Sequence, residues 1–179
     1  MIRIIGGTFR SRQLDTPDVI TTKPTMDRVR AGVFSALSTD IYNSCVLDLF
    51  SGSGSYGFEA LSRGAKNIIF VENNDKAFSC IQKNAAKLGV YNQIEMFKED
   101  VLSYLNMQEA NSFDIIFADP PYKLGVYEDL LKLVIDKNLL KEHGVLVLES
   151  ETSLNITNSY FEKIKEYKYG LAHVTILRR

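Results

Sequence analysis

The sequence predicts an α/β protein built on a mostly parallel, seven-stranded sheet with helices on both faces. Two patterns support this prediction. From Cys45 onward, short apolar runs alternate with segments of helical periodicity, and the last two runs follow each other with only a turn between them. The chain has 179 residues, of which 45% are hydrophobic, and this is enough for one domain to bury a full core.

The predicted strands are five short apolar runs and a final pair. The five runs are Cys45–Phe50, Ile68–Glu72, Ile94–Phe97, Asp114–Ala118 and Val145–Glu149. The final pair, Phe161–Tyr167 and Ala172–Leu177, is joined by a turn near Gly170. Because two strands joined by a short turn run antiparallel, we expect the sheet to end in an antiparallel strand.

Two helices between these strands are predicted by the spacing of their apolar residues. Asp75–Leu88 repeats apolar side chains on one helical face, and Gly89 follows it as a stop signal. Val126–Asp136 is expected to turn inward the side chains of Tyr127, Leu130, Leu131, Val134 and Ile135. Helices between consecutive strands are the connections that a parallel sheet requires.

The first forty residues lack this alternation and predict a small extension, residues 1–40, ahead of a main domain, residues 41–179. We expect Ile2–Ile5 and a segment near Leu14 to pair as a hairpin around Gly6-Gly7. The extension is therefore expected to begin with a hairpin, and a helix should follow it.

The predicted helix of the extension covers Arg28–Ser38, with Asp27 as its N-cap. Pro24 disfavours helix in the residue before it, so Thr21–Thr25 is expected to be extended. The buried stripe of the helix comprises Val29, Val33 and Leu37. Gly32 inside the helix costs about 1 kcal/mol relative to Ala, and it either permits a close approach or is simply tolerated.

Charge is distributed unevenly along a chain whose formal net charge is only −1. The first thirty residues hold three acidic side chains against six basic ones, which are Arg3, Arg10, Arg12, Lys23, Arg28 and Arg30. Two interpretations remain open on charge alone. The basic residues form either a phosphate-binding face or an ordinary solvated surface.

Several classes of protein are disfavoured by composition. Cys45 and Cys80 lie far apart inside apolar patterns, which predicts reduced core thiols. His143 and His173 are the only histidines and have no cysteine nearby, so we expect no zinc and no other bound metal. No stretch approaches the roughly 20 apolar residues of a membrane span, and the N-terminus lacks the apolar segment of a signal peptide. We therefore expect a cytoplasmic protein without a membrane partner.

A glycine-rich loop follows the first predicted strand of the main domain. In Ser51–Gly57, the residues Gly52, Gly54 and Gly57 match the G-x-G-x-x-G pattern between a strand and a helix. Glu72 follows Gly52 by 20 residues and ends the next strand, where an acid accepts the hydroxyl groups of an adenosine ribose. The pattern is typical of NAD and of S-adenosylmethionine sites alike.

Asp48 favours S-adenosylmethionine over NAD. A carboxylate four residues before Gly52 would repel a pyrophosphate on the loop, whereas S-adenosylmethionine carries an ammonium and a sulfonium and no phosphate. The alternative is an acid that caps the helix or fastens the loop. Asp100 at the end of the third strand has two compatible roles, as an acceptor for an adenine amino group and as the N-cap of helix Val101–Asn106.

The tetrapeptide Asp119-Pro120-Pro121-Tyr122 ends the fourth strand and predicts a site that methylates a planar amino nitrogen. The lone pair of such a nitrogen is delocalised into the ring. The Asp119 carboxylate and the Pro120 carbonyl can each accept one N–H, which aims the lone pair at a methyl group without a metal or a covalent intermediate. The prolines preset the turn, and the Tyr122 ring offers a stacking surface for an extracted base. The alternative is a Pro-Pro strand end with a packing tyrosine.

These residues resemble the RsmD-type bacterial 16S rRNA (guanine-N2)-methyltransferases over essentially the whole chain. The resemblance is carried by Lys23–Phe34, by Val46–Gly57 with Glu59–Ala65, and by Asp119–Tyr122 with Gly125. It implies a Rossmann-like class I methyltransferase that uses S-adenosyl-L-methionine, releases S-adenosyl-L-homocysteine and needs no metal. The implied substrate is guanine 966 of 16S rRNA in the small ribosomal subunit or its assembly intermediate, and the implied enzyme is a monomer.

The resemblance also assigns roles to individual residues. Asp48 and the Gly52–Gly54 loop would hold the methionine end of the cofactor, Glu72 the ribose, Asp100 the adenine and Asp119–Tyr122 the guanine. The full cofactor set is Asp48, Phe50, Ser51, Gly52, Ser53, Gly54, Glu72, Asn73, Asp100, Val101 and Asp119. The RNA set is Arg3, Arg10, Arg12, Lys23, Thr25, Arg28, Arg30 and Tyr122. Lys23 replaces the family's usual arginine, so a bidentate phosphate contact becomes a point charge.

Three other functions remain to be weighed. A DNA or RNA adenine-N6 or cytosine-N4 amino-methyltransferase would use the same chemistry, although a DNA enzyme needs more protein to read a duplex than this chain has outside its main domain. An NAD-dependent oxidoreductase would use the glycine loop, but Asp48 disfavours it. A non-catalytic RNA-binding module would not need Asp119 beside an intact cofactor loop.

Overall fold

The N-terminal extension begins with a short hairpin packed on the main domain. The computed structural model describes residues 2–17, 24–121 and 125–179, with the backbone alone for residues 24–26. Strand β1 (Ile2–Arg3) pairs antiparallel with β2 (Gln13–Leu14), which confirms the predicted hairpin. Gly7 in the turn has φ 77°, and a Cβ there would lie 1.8 Å from the Ser62 carbonyl oxygen, so the turn requires glycine.

Helix α1 (Pro24–Ala36) begins four residues before its predicted start, so two expectations about this segment are wrong. Thr25 is helical rather than extended, and Asp27 lies in the first turn instead of capping the helix. Proline suits the first turn of a helix, because its φ is already near the helical value and its missing N–H needs no partner there. The predicted stripe of Val29, Val33 and Leu37 is buried, as expected.

Seven further strands form the main sheet. They are β3 (Cys45–Leu49), β4 (Asn67–Val71), β5 (Ile94–Phe97), β6 (Phe113–Ala118), β7 (Leu140–Ser150), β8 (Lys163–Tyr169) and β9 (Ala172–Arg178). Their order across the sheet is β5-β4-β3-β6-β7-β9-β8, and β9 runs opposite to the other six strands. The predicted α/β fold, mostly parallel with an antiparallel C-terminal strand, is confirmed.

Two strands, β7 and β8, differ from their predicted bounds by more than one residue. β7 begins five residues earlier than expected, because a register shift against β6 between Phe113 and Ile115 brings Leu140 and the polar residues after it into the strand. Apolar patterning cannot detect such residues. β8 begins after Phe161, whose side chain is buried ahead of the strand, so its apolar character reflects burial rather than strand structure.

Four helices connect the parallel strands. They are α2 (Ser55–Ser62), α3 (Asp75–Leu88), α4 (Val101–Asn106) and α5 (Tyr127–Asp136), with a single 3₁₀ turn at Tyr91–Gln93. The predicted α3 is confirmed, with Gly89 in the left-handed conformation at its end. Only Leu130 and Val134 of the five residues expected inside α5 are fully buried, because the other three flank the inward stripe. No helix in the described ranges is long and apolar enough to cross a membrane.

The sheet separates two hydrophobic clusters, and the extension belongs to one of them. Ile4, Leu14 and Phe34 of the extension pack in the same cluster as Val46 and Phe58 of the main domain. The extension therefore shares a core with the sheet and holds a defined position relative to it.

Glu59 on α2 fastens the hairpin to the main domain. Its side chain is fully buried, and its two carboxylate oxygens accept hydrogen bonds from the backbone N–H groups of Ile5, at 2.7 Å, and Gly6, at 2.9 Å. Arg63 donates to the same carboxylate at 2.8 Å, and the Arg30 Nε lies 3.9 Å away. The buried charge is thereby paired with cations and hydrogen-bonded, as a stable buried carboxylate requires.

Candidate active site

The glycine loop and the Asp-Pro-Pro segment meet where the strand order reverses. β3 lies between β4 and β6, and Leu49 pairs with Ala118, so Phe50 and Asp119 follow side by side at the carboxyl ends of their strands. Open α/β sheets bind ligands at such a switch point. The prediction that these two segments adjoin is confirmed.

The glycine loop has the backbone conformation that its residues predict. Gly52 and Gly54 have φ 56° and 76°, in the region that favours glycine, and the non-glycine Phe50 is also left-handed at φ 54°. The buried Ser51 hydroxyl donates to the Val71 carbonyl oxygen, which joins β3 to β4 below the loop. The loop is thus held in one conformation by the sheet.

Asp48 is buried beneath the loop and holds the N-terminus of α2. Its side chain is 3% exposed, and its carboxylate accepts a hydrogen bond of 2.9 Å from the Gly57 N–H in the first turn of the helix. The alternative role of fastening the loop is therefore real. Burial, opposed by the Gly57 hydrogen bond and assisted by nearby Glu72, raises the pKa of Asp48 to about 8. A buried acid with a raised pKa suits a cationic ligand, because the positive charge of the ligand would stabilise the ionised carboxylate.

Glu72 and Asp100 lie at the ends of the next two strands. The Glu72 carboxylate accepts hydrogen bonds from the N–H groups of Gly52, at 2.9 Å, and Asn74, at 2.8 Å, so it orders the loop from the opposite side. The exposed Asp100 accepts from the Ser103 N–H at 2.9 Å and caps α4, which confirms the capping role. Both acids keep further lone pairs for hydroxyl or amino donors. Of their neighbours in the predicted cofactor set, Asn73 and Val101, the first is exposed and the second is buried.

Asp119 is a half-buried acid at the end of β6, and the described residues place no hydrogen-bond donor on its carboxylate. Burial raises the pKa of Asp119 well above its ordinary value, and Glu149 and Asp48 raise it further. Pro120 is buried and Pro121 is exposed, so the turn lies at the surface of the site. Tyr122 lies outside the described residues.

Glu149 is a second acid at this position that sequence reasoning missed. Ala118 of β6 pairs with Leu148 of β7, so Asp119 and Glu149 follow next to each other across the two strands. The signal was present, because Glu149 is an acid at the carboxyl end of a buried strand, as are Asp48 and Glu72. Only the sheet order shows that its neighbour is Asp119.

Two tyrosines fix Glu149, and neither was predicted to belong to the site. The Tyr56 hydroxyl donates to Glu149 Oε2 at 2.8 Å, and its ring stacks on Phe117 with centroids 5.0 Å apart. Tyr127 donates to the backbone carbonyl oxygen of Glu149 at 2.9 Å. Glu149 is thereby oriented from α2 on one side and α5 on the other.

Asn84 was also missed, and it joins the extension to the glycine loop. Its fully buried amide nitrogen donates to the carbonyl oxygens of Ser53 and Asp15, both at 3.0 Å, and its oxygen accepts from the Asp15 N–H at 2.8 Å. A polar residue on the inward face of α3 was the available signal. Asn84 therefore holds the loop and the end of the hairpin segment in one arrangement.

The basic residues of the extension do not all lie on one exposed face. Arg3, Arg10 and Arg28 line a groove of about 330 Å³ together with Asp27. Arg30 was expected to contact RNA at the protein surface, and this expectation is wrong because the side chain is buried. Its side chain is 2% exposed and donates to Asp27 at 2.9 Å, so it supports the protein core instead.

The remaining predicted RNA residues are placed only in part. Arg12 is exposed and donates to the Lys87 carbonyl oxygen at 3.0 Å. Lys23 lies outside the described residues, as does the side chain of Thr25. The described residues contain no group of three or more His, Cys, Asp or Glu side chains arranged to hold a metal ion.

The fold and the site together define a methyltransferase of the class I type. The chain belongs to the family described as conserved hypothetical protein 95, whose model matches residues 2–178, and the resemblance to the RsmD-type proteins is confirmed. Ribosomal RNA small subunit methyltransferase D of Haemophilus influenzae is 35% identical over 173 residues, which cover 95% of this chain and 90% of that protein.

Solved structures agree with this assignment of fold. Escherichia coli yhhF superposes with a TM-score of 0.87 at 32% identity, covering 99% of this chain and 97% of that one. The Thermus thermophilus 16S rRNA N2 G1207 methyltransferase, solved with AdoMet and guanosine, has a TM-score of 0.73 at 20% identity. The superposition covers 92% of this chain and 45% of the Thermus protein. At this identity the similarity concerns the fold alone.

Proposed function

We propose that this protein transfers a methyl group from S-adenosylmethionine to the exocyclic N2 of a guanine in 16S rRNA. The observation that carries the proposal is the position of Asp119, an acid beside the glycine loop on whose carboxylate the described residues place no donor. The target nucleotide proposed from the family resemblance is guanine 966, in the small ribosomal subunit or its assembly intermediate. The enzyme would act as a monomer in the cytosol.

The arrangement of the loop supports S-adenosylmethionine rather than NAD. A pyrophosphate binds a glycine loop through free backbone N–H groups at a helix N-terminus. Here the Gly52 and Gly57 N–H groups already donate to the carboxylates of Glu72 and Asp48, so an added phosphate would meet two acids. S-adenosylmethionine supplies an electrophilic methyl group on a cationic sulfur, and its charge suits the same two acids.

Asp119 and the Pro120 carbonyl would act on the substrate amine. Each accepts one N–H of the amino group, which turns the nitrogen lone pair out of conjugation and toward the methyl donor. Because burial raises the pKa of Asp119, this carboxylate is also suited to take up the proton that the nitrogen loses. Tyr122 would stack on the base once it is extruded from the RNA.

The extension, residues 1–40, would bind the RNA backbone. Arg3, Arg10 and Arg28 line one groove, and exposed arginines near one another are what phosphate recognition needs. Arg12 lies outside this groove and would extend the contact along the hairpin. The Haemophilus influenzae relative matches 95% of this chain and therefore most of the extension, which favours an RNA substrate over DNA.

Mass spectrometry of methylated nucleosides tests the proposal. Small ribosomal subunits from cells lacking the enzyme would be incubated with labelled S-adenosylmethionine, and the RNA digested to nucleosides. We expect labelled N2-methylguanosine with the wild-type protein and none with Asp119→Ala, which should still bind the cofactor. Detection of labelled N6-methyladenosine or N4-methylcytosine instead would mean that the substrate base is adenine or cytosine and not guanine. Binding of NAD without binding of S-adenosylmethionine in calorimetry would refute the methyl donor.

A further inference from the structure

Glu149 presents an unused hydrogen-bond acceptor at the site where the base would bind. Its Oε2 accepts from the Tyr56 hydroxyl, while no described residue donates to its Oε1. The strand pairing places Glu149 next to Asp119, and Glu149 is a principal cause, after burial, of the raised pKa of Asp119. The site therefore contains two neighbouring carboxylates that compete for protons. The described residues do not supply hydrogen-bond donors to all of their oxygen atoms.

The three amino-bearing bases differ in how they complement such a pair. The Watson–Crick edge of guanine carries two adjacent donors, the N1–H and the 2-amino group. Adenine and cytosine carry one amino group beside a ring nitrogen with a lone pair. A carboxylate accepts hydrogen bonds and offers none when ionised, so it attracts an N–H and repels a lone pair. Two ionised carboxylates side by side therefore complement guanine alone.

We propose that Glu149 accepts the N1–H of the target guanine while Asp119 accepts the 2-amino group, so that Glu149 selects guanine over adenine and cytosine. The inference rests on the proposed function, because it assumes that the amino group of a base lies at Asp119. Glu149 determines which base is accepted, and the methyl transfer itself depends on Asp119.

Tyr56 is the positioning residue for this contact. Its ring packs against both Phe34 and Phe117, with centroid distances of 6.1 and 5.0 Å, so its hydroxyl reaches Glu149 from a fixed direction. By occupying Oε2, Tyr56 leaves Oε1 as the acceptor available to a ligand. The positive charge of buried Arg30 also favours the ionised form of Glu149 and lowers the pKa of its carboxyl, against the dominant effect of burial.

The test compares small ribosomal subunits assembled on two 16S rRNAs that differ only at the target nucleotide. One carries guanine, and the other carries 2-aminopurine, which keeps the 2-amino group but has a lone pair at N1. We expect Glu149→Gln to lower kcat/KM on the guanine RNA by about 10- to 100-fold, the loss expected for a hydrogen bond to a charged acceptor. On 2-aminopurine RNA kcat/KM should not fall, because the glutamine NH₂ can donate to the N1 lone pair that the carboxylate repels. Affinities measured without cofactor should show the same pattern.

Two further variants complete the experiment. Tyr56→Phe keeps the stacked ring but removes the hydrogen bond to Glu149 Oε2. It should therefore reduce the preference for guanine, as Glu149→Gln does, but by a smaller factor. Glu142→Gln removes a charge from the exposed beginning of the same strand, where the side chain is 89% exposed, and should change neither RNA. If Glu149→Gln does not fold, Tyr56→Phe decides the question.

The outcomes separate this inference from the proposed function. If Glu149→Gln lowers activity on the two RNAs equally, or on neither, Glu149 does not read N1 and the inference fails while guanine methylation stands. If the wild-type protein methylates neither RNA, or methylates adenine in the small subunit, the proposed function fails first.

Discussion

Three acids, Asp48, Asp119 and Glu149, lie near one another at the carboxyl edge of the sheet. Burial raises the pKa of each, and Asp48 and Glu149 both add to the effect on Asp119. Like charges held together in a partly dry site destabilise the ligand-free protein. A cationic cofactor at Asp48 and N–H donors at the other two would relieve this, so the same residues that cost stability favour ligand binding.

Asp48→Asn should lower cofactor affinity and raise the stability of the ligand-free protein. The pKa of Asp48 is about 8 in the folded protein against an ordinary 3.8, so the folded state holds its proton more tightly. Wild-type stability from this group is present at low pH and is lost as the pH rises through about 8. Asparagine can still accept from Gly57 without ionising. We expect the difference in melting temperature between the variant and the wild type, measured by thermal scans at several pH values, to increase with pH. Cofactor affinity, measured by calorimetry, should fall about 10- to 100-fold.

A matched substitution provides the control for this experiment. Glu95→Gln removes an acid from the exposed surface of β5, which β4 separates from β3, and should leave both quantities unchanged. A stability difference between Asp48→Asn and wild type that did not vary with pH would contradict the raised pKa of Asp48.

The pH dependence of methylation should report Asp119. The groups facing it are Asp48 on β3, Glu149 on β7, Tyr56 on α2 and Tyr127 on α5. Because burial raises the pKa of Asp119 and its ionised form accepts the amine, kcat/KM should rise with pH above the ordinary range of a carboxylate. Glu149→Gln removes the largest neighbouring charge, so the remaining activity should rise at lower pH. A rising limb that stays in place in this variant would exclude coupling between the two acids.

At the scale of elements, helix α1 packs closely against the sheet at Gly32. A Cβ at Gly32 would lie 2.1 Å from the Tyr169 hydroxyl oxygen of β8, which explains why glycine stands inside the helix. The α1–β8 contact and the Glu59 bonds to the hairpin hold the extension at two points. The position of the proposed RNA-binding residues follows from these two attachments.

Gly32→Ala separates helix propensity from packing. Propensity alone would stabilise the protein by about 1 kcal/mol, whereas a clash with Tyr169 should destabilise it by roughly 1 to 3 kcal/mol. We expect net destabilisation in denaturant unfolding. In a Tyr169→Ala background the same substitution should become neutral or stabilising, because the ring is gone. Destabilisation of equal size in both backgrounds would mean that Tyr169 is not the obstacle.

At the scale of the whole molecule, the residues proposed to bind RNA and those proposed to bind the cofactor lie on connected parts of one core. Asn84 joins the hairpin segment at Asp15 to the glycine loop at Ser53, and the extension packs in the same hydrophobic cluster as the sheet. The net charge of −1 leaves attraction to RNA to local groups of arginines rather than to the whole surface.

Arg10→Ala combined with Arg28→Ala should weaken RNA binding and its dependence on salt. Both residues line the groove of the extension. Each lost phosphate contact reduces the slope of log affinity against log salt by roughly 0.7 to 0.9, so the pair should reduce it by about 1.5. Lys163→Ala with Lys165→Ala, which removes two exposed charges from β8, is the control. A slope reduced equally by both pairs would place the RNA on another surface or on both.

Much of the site was predictable because its signals are local. The glycines, Asp48, Glu72 and the Asp-Pro-Pro segment stand immediately at or after the ends of apolar runs, and their spacing along the chain reflects strand–loop–helix geometry. Glu149 has the same kind of local signal, but its significance depends on having Asp119 as a neighbour. Residues that act across the fold, such as Asn84, carry no pattern of their own.

By itself, the sequence determined the α/β class, the glycine loop and the acid at the end of each key strand, because periodicity and turn chemistry act over a few neighbouring residues. Tertiary structure alone decided that Arg30 is buried, that Tyr56 orients Glu149, and that β6 and β7 place two carboxylates side by side. The physical reason is that burial, hydrogen-bond partners and pKa depend on groups far apart in sequence, and only the order of the strands brings those groups together.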